Sequence, residues 1–419
     1  MASTAPLTLT DKLRDRERWS RFADCVAVGL AVSLPWSTSA TAIFAALLAI
    51  VVLPTTRIGE WRNVLRQPAG WLPVLLFALG ALGMLWASVP MAERLDGLKS
   101  FAKLLFIPLL MVQFQRSPRG AWALTGFLAS CTVLLGASWF LRSWPQFGWR
   151  DIGYPGIPVK DYIAQGAEFT ICVFILADMA LARWRQNLKR DAIVLALLML
   201  VFLLNILVVT FHRTTVVVVP VLLVLFGFSR FGWRGVVGVV GGALVLAAIA
   251  WPASDQMRKR VLSFATEVHG YQTDNAVSPA AERLEFYRKS VGFIAEAPII
   301  GHGTGTIREL FRQSSAGQSG VSAVAAANPH NQTLAVGIQL GLLGVAILFW
   351  MWIAHLLLFR GAGLAAWAGL VVAAQNVVSS LFNSHLFDFT HGWIYVVGVG
   401  IAAGMVLYER SAGKGGVSA

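Results

Sequence analysis

Three basic residues far apart in the chain, Arg213, Arg283 and His330, stand where such side chains are costly to leave without a task. His330 belongs to Asn328-Pro329-His330-Asn331, the start of a long apolar run. Asn328 as N-cap and Pro329 as first helical residue predict His330 in the first turn of a helix. The positive end of a helix disfavours imidazolium, so a neutral ring able to take a proton near pH 7 is expected, with free amides beside it suited to an anion. Arg213 follows Thr210-Phe211-His212, wedged between two apolar runs with almost no loop. A guanidinium there must snorkel or hold an anionic partner. His212 reads equally as a helix-end cap or as a neighbour in the same site. Arginine forks bind phosphate bidentately and neutralise charge on a departing phosphate, while a histidine base can activate a hydroxyl. The chemistry these residue types suggest is group transfer from a phosphorylated, membrane-held donor.

Arg283 lies in a predicted helix that opens at Ser278-Pro279 and ends at Ala297-Pro298. Leu284, Tyr287, Val291 and Ile294 fall at i, i+3, i+7 and i+10, an apolar stripe expected to lie on the protein, with Arg283 at its border. Glu282, Glu285, Arg288 and Lys289 are expected to form a solvated charged face. Counting from His330, Thr333, Gly337, Gly341 and Gly344 share one helical face, and small residues on a membrane helix mark close packing. Gly301-His302-Gly303-Thr304-Gly305 follows a helix end and a proline and lacks the Gly-Lys-Ser/Thr of a phosphate loop, so it is expected to be a tight turn. His302, His385, His391 and Asp388 have no metal-ligand spacing, and no metal or other cofactor is expected.

These residues need elements to hold them, and the composition says which kind. With 57% hydrophobic and 13% charged residues in 419, the chain exceeds what a soluble core could bury and reads as an all-α polytopic membrane protein. Cys25, Cys131 and Cys172 sit in apolar runs and behave as small hydrophobes. The net charge of +13 has no soluble basic domain to carry it, so nucleic acid is not an expected partner. About twelve runs are long enough to cross roughly 30 Å of hydrocarbon. Their limits are 20–36, 40–54, 70–87, 100–115, 119–141, 163–183, 191–209, 214–228, 235–251, 330–358, 362–382 and 390–408.

Basic residues set the orientation. Lys12, Arg14, Arg16, Arg18, Arg21, Arg57, Arg62, Arg66, Arg116, Arg119, Arg183, Arg185, Lys189, Arg190, Arg230, Arg234, Arg360, Arg410 and Lys414 fall on one side. The short loops of the other side hold only Arg94, Lys99, Lys103, Arg142, Arg150, Lys160 and Arg213. Both termini are therefore expected in the cytoplasm and the polar stretch 252–329 outside, dividing the chain into helices of 1–251, a large outer loop, and helices of 330–419. The Ala40-Thr41-Ala42 imitation of a signal cleavage site is expected to stay uncut, since losing the first run would break the charge alternation.

His330-Asn331, nine residues, then Gly341-Leu342-Leu343-Gly344 resembles the His-Asn-x9-Gly-x-x-Gly signature of the O-antigen ligases, which complete lipopolysaccharide. Arg213 and Arg283 look like that family's arginines, and Pro298-Ile299-Ile300-Gly301-His302-Gly303 resembles a turn shared with O-antigen polymerases. His212 departs from the small hydroxyl residue usual before the arginine. The resemblance implies a GT-C-like membrane glycosyltransferase of the bacterial inner membrane with a periplasmic, metal-independent site. Its donor would be O-antigen on undecaprenyl pyrophosphate and its acceptor a sugar hydroxyl of lipid A-core. It also implies catalytic roles for His330, Arg213 and Arg283 and substrate contacts for Asn331, Arg288, Lys103 and His212. Alternatives are an O-antigen polymerase or protein O-oligosaccharyltransferase with the same donor, and a lipid-linked glycan transporter.

Overall fold

The computed structural model describes residues 16–148, 154–210, 212–253 and 277–415. Lys12, Arg14, Arg150, Phe211 and residues 254–276 of the polar stretch lie outside them, as do the side chains of Arg213 and Lys414. Among the described residues there is no strand. Fifteen α-helices follow in order: α1 Arg16–Ser33, α2 Thr38–Thr55, α3 Ile58–Leu65, α4 Pro68–Leu82, α5 Met91–Ala102, α6 Phe106–Phe114, α7 Gly120–Ser143, α8 Tyr162–Arg185, α9 Lys189–Val208, α10 Arg213–Ala253, α11 Pro279–Glu296, α12 Ile307–Ser315, α13 Gln332–Leu358, α14 Leu364–Ser379 and α15 Phe389–Gly415.

Among the described residues seven of these helices are long and apolar enough to cross a membrane, or eight if the bent pair α3 and α4 counts as one span. Several of the twelve expected runs take another form. The run 100–115 becomes two helices, α5 and α6, joined by a short 3-10 turn at Lys103–Leu105. The runs 214–228 and 235–251 are the two arms of α10, which breaks at Gly232 (φ 63°, ψ −155°). There the chain folds back so sharply that Gly227 and Gly235 meet backbone to backbone, which only side-chain-free residues permit. α3 meets α4 at 91°, the geometry of a broken span or a re-entrant turn.

One contiguous apolar core joins α1, α2, α4, α6 to α10 and α13 to α15. A second, smaller core of Phe286, Phe293, Ile307, Phe311, Ala326, Ala335 and Ile338 fixes α11 and α12 to the first half of α13. This small core decides which way α11 faces. Ala281, Glu285, Phe286, Lys289, Ser290 and Phe293 point inward, while Leu284 and Val291 are exposed. The expected apolar stripe is thus rotated by about one position, and Glu285 and Lys289, expected in solvent, are buried. They can be buried because each is satisfied. Glu285 takes both arms of Arg288 (2.8 and 2.6 Å), and Lys289 Nζ donates to Ser315 Oγ (2.8 Å) and the Ser322 carbonyl (2.7 Å).

Candidate active site

α13 is two helices in one. At Gly341 (φ 61°, ψ −164°) the backbone leaves the helical region, freeing carbonyls above the break and amides below it. The turn 298–303 fills that break. Its His302 and Gly303 amides donate to the Ile338 and Gln339 carbonyls (both 2.9 Å), and Leu342 and Leu343 donate to the Pro298 and Ile299 carbonyls (2.8 and 3.2 Å). A Cβ on Gly301 would meet the Gln339 backbone at 2.5 Å, and one on Gly341 would run into the Ile299 carbonyl. The two glycine motifs of the sequence are therefore the halves of one joint. Its outer side is pinned by His302 Nε2, which lies 2.8 Å from the Phe293 carbonyl of α11. The expected tight turn is present, and it fixes α11 and the upper half of α13 as one body.

His330 stands at the top of that body, with a correction to its expected place. The helix starts at Gln332, and its N-cap is Asn331, whose Oδ1 accepts from the Leu334 amide at 3.1 Å. His330 is in the turn before the helix, in the left-handed region at φ 53°. A non-glycine residue there costs of order 1 kcal/mol and persists only where its surroundings impose it. They do so here: the Asn328 side chain accepts from the His330 amide (2.8 Å), and Tyr287 Oη of α11 donates to the His330 carbonyl (3.2 Å). Pro329 therefore precedes a strained turn instead of opening the helix.

The half-buried ring of His330 lies nearly parallel to Phe286, centroids 6.2 Å apart. Burial and the positive charge of nearby Arg283 push its pKa below the ordinary histidine value, against smaller opposing effects of Asn383 and Glu282. The expected neutral imidazole is supported in direction, with burial first and Arg283 second among its causes. An imidazole held neutral beside a guanidinium, at a surface half open to solvent, can accept a proton while the arginine receives an anion.

The remaining expected site residues disperse. Asn331 donates from Nδ2 to the Leu381 carbonyl (3.2 Å), which also accepts from Tyr287 (2.8 Å), so it ties the 380–388 loop to α13. Arg288, exposed, pairs with Glu285. Lys103 is buried in a second polar group, its ammonium donating to the Asp388 carbonyl at 2.7 Å. His391, on α15, hydrogen-bonds Asp388 (2.9 Å) and stacks on His385 at 4.4 Å, both rings being at least nine-tenths buried. His212 is buried between Thr210 and Thr215 and against Gly166, close enough to His391 for their charges to interact. Arg213 opens α10 directly after it. Sequence reasoning missed Phe286, Tyr287 and Asn383 as the surroundings of His330. Only the helical spacing of Arg283, Phe286 and Tyr287 hinted at a shared face. Among the described residues no three His, Cys, Asp or Glu side chains converge as metal ligands would.

No curated protein matches the chain. Residues 198–349 match the family model described as O-Antigen ligase, a stretch that begins in α9, includes Arg213, α11 and His330, and ends beyond the Gly341 joint. In the elements that hold its candidate site, residues 198–349, this multi-pass membrane protein is thus similar to the family that its His-Asn and Gly-Leu-Leu-Gly residues resemble, the O-antigen ligases.

Proposed function

We propose that the protein transfers O-antigen from undecaprenyl pyrophosphate to a sugar hydroxyl of lipid A-core at the periplasmic face of the bacterial inner membrane. The observation that carries this reading is the neutral, half-exposed His330 ring beside Arg283, on elements locked together by the Gly301–Gly341 joint. His330 takes the acceptor proton as the hydroxyl oxygen attacks the anomeric carbon. The bond from that carbon to the pyrophosphate oxygen breaks, its electron pair leaves with the pyrophosphate, and the sugar inverts. Arg283, with Arg213 at the head of α10, holds and neutralises the leaving pyrophosphate. Asn331 and Asn383 act as positioning residues for the His330 turn, and His212 fixes the turn that presents Arg213. Lys103 serves by anchoring the Asp388 loop.

The test uses membranes containing the full chain, supplied with lipid-linked O-antigen and purified lipid A-core. A shifted lipopolysaccharide ladder that disappears in His330→Ala, with folded protein unchanged, supports the reading. Lengthening of the glycan on its lipid carrier without transfer to core would identify a polymerase. An unaltered ladder in the variant would remove His330 from the chemistry.

A further inference from the structure

At the end of α13 far from His330, α4 and α13 part to leave a lateral cavity of about 440 Å³. That is within the roughly 300–1,000 Å³ typical of ligand sites. Its walls are apolar, with Trp71 and Leu72 from α4 and Trp350, Ile353 and Leu357 from α13. Trp350, Ile353 and Leu357 are all strongly exposed. Next to Ala354 of this wall, buried His355 ties α13 to its neighbours, its Nε2 3.1 Å from the Ala69 carbonyl of α4 and its Nδ1 2.6 Å from Tyr395 Oη of α15.

Polarity is confined to one end, where Gln67 and Arg410 line the cavity. Arg410 spends one guanidinium bond on the Leu358 carbonyl (3.0 Å). Arg66 and Arg360, exposed, stand next to this end in sequence, and among the described residues no Asp or Glu lines the cavity. α3 turns away from α4 at 91° just before it. An apolar slot with indoles on its walls and guanidinium at its mouth matches the two ends of a membrane lipid, and basic residues at a helix end attract anionic head groups. A second copy of the chain fits poorly, because a two-fold contact through this patch would set its arginines against their own copies.

We infer that this cavity is a binding site for one anionic glycerophospholipid, its acyl chain along α4 and α13 and its head-group phosphate on Arg410 and Gln67. The site is separate from the transfer chemistry: Trp350 lies eighteen residues beyond Gln332, on the far side of the break at Gly341.

The experiment is native mass spectrometry of the full-length protein, delipidated and titrated with phosphatidylglycerol or with phosphatidylcholine of matched chains. Wild type is expected to bind one phosphatidylglycerol in preference to phosphatidylcholine. Arg410→Gln should weaken that lipid about fivefold, the equivalent of roughly one basic residue at an anionic surface, while Arg410→Lys keeps most of it and guards against misfolding of the first variant. Ala354→Trp, which fills the slot from its wall, should remove the bound lipid without regard to head group. Equal binding of the two lipids by wild type, retention in both Arg410→Gln and Ala354→Trp, or a dimer that excludes lipid from this face would each overturn the assignment.

Discussion

Two polar groups with much the same residue types face opposite fates in this molecule. Around His330 the ring is half exposed, the strongest charge acting on it is Arg283, and among the described residues no carboxylate makes an ion pair with Arg283 or His330. Around His385 and His391 the rings are closed in, the Asp388 carboxylate is fastened to His391, and Lys103 is spent on a backbone carbonyl. Reactivity needs access and an unfilled electrostatic demand, and only the first group has both. The second group is fastening: it holds the 380–388 loop that in turn presents Leu381 to Asn331 and Tyr287.

The sharpest way to break this contrast is to remove each histidine. His330→Ala should cost about 10²- to 10⁴-fold in transfer rate, the usual worth of a positioned base, with the melting temperature nearly kept. The pH profile of wild type should fall on the acid side at a pH below 6.5, because the folded ring protonates only below the ordinary histidine value. Next in size, Arg283→Ala should lower the rate by about 10² or more, as loss of an anion-stabilising donor does. It should also move the acid limb to higher pH, since the charge that disfavours imidazolium is gone. Arg283→Lys should restore the limb's position better than the rate, because an ammonium supplies charge without the fork. A limb that stays put in Arg283→Ala would separate the two residues.

Asp388→Ala should act in the other register. It removes the acceptor of both the His391 ring and the His391 amide (2.8 Å) at the head of α15. Loss of such a cap costs roughly 1–2 kcal/mol. The expected outcome is less folded protein and a lower melting temperature, with the rate per folded molecule reduced far less than in His330→Ala. Equal loss of rate at unchanged stability would place the inner group in the chemistry and erase the contrast.

The sequence made the outer group legible because its signals are local. Ser278-Pro279 and Ala297-Pro298 mark both ends of α11, and His330 follows a capping asparagine and a proline. It misplaced the helix start by three residues because Asn328 and Asn331 are both competent caps. What selects Asn331 comes from residues about fifty positions away, Leu381 and Tyr287, which no local pattern contains. The rotation of α11 was hidden for a similar reason. Periodicity counts residue types, whereas Glu285 and Lys289 are buried because Arg288, Ser315 and Ser322 satisfy them. The inner group draws on residues 103, 212 and 385–391 and leaves no spacing to read. Likewise, the run 100–115 has the apolarity of a span, but the 3-10 turn at Lys103 divides it where the lysine reaches Asp388.

The smallest effect distinguishes positioning from contact within the outer group. Asn331 makes two bonds at once, accepting from the Leu334 amide as N-cap and donating to the Leu381 carbonyl. Asn331→Ala loses both, and the cap alone is worth about 1 kcal/mol, so a modest fall in melting temperature is expected with a several-fold loss of rate. The acid limb should not move, because no charge has changed. Asn331→Asp keeps the cap acceptor and loses the donor, and it places a carboxylate next in sequence to His330. That charge favours imidazolium, so the limb should shift to higher pH while the helix start is preserved. The two variants thus separate what Asn331 does for the fold from what its neutrality does for the base. If Asn331→Ala instead abolished transfer at full stability, the side chain would be touching the acceptor or donor directly, and the outer group would need a third reacting member beside His330 and Arg283.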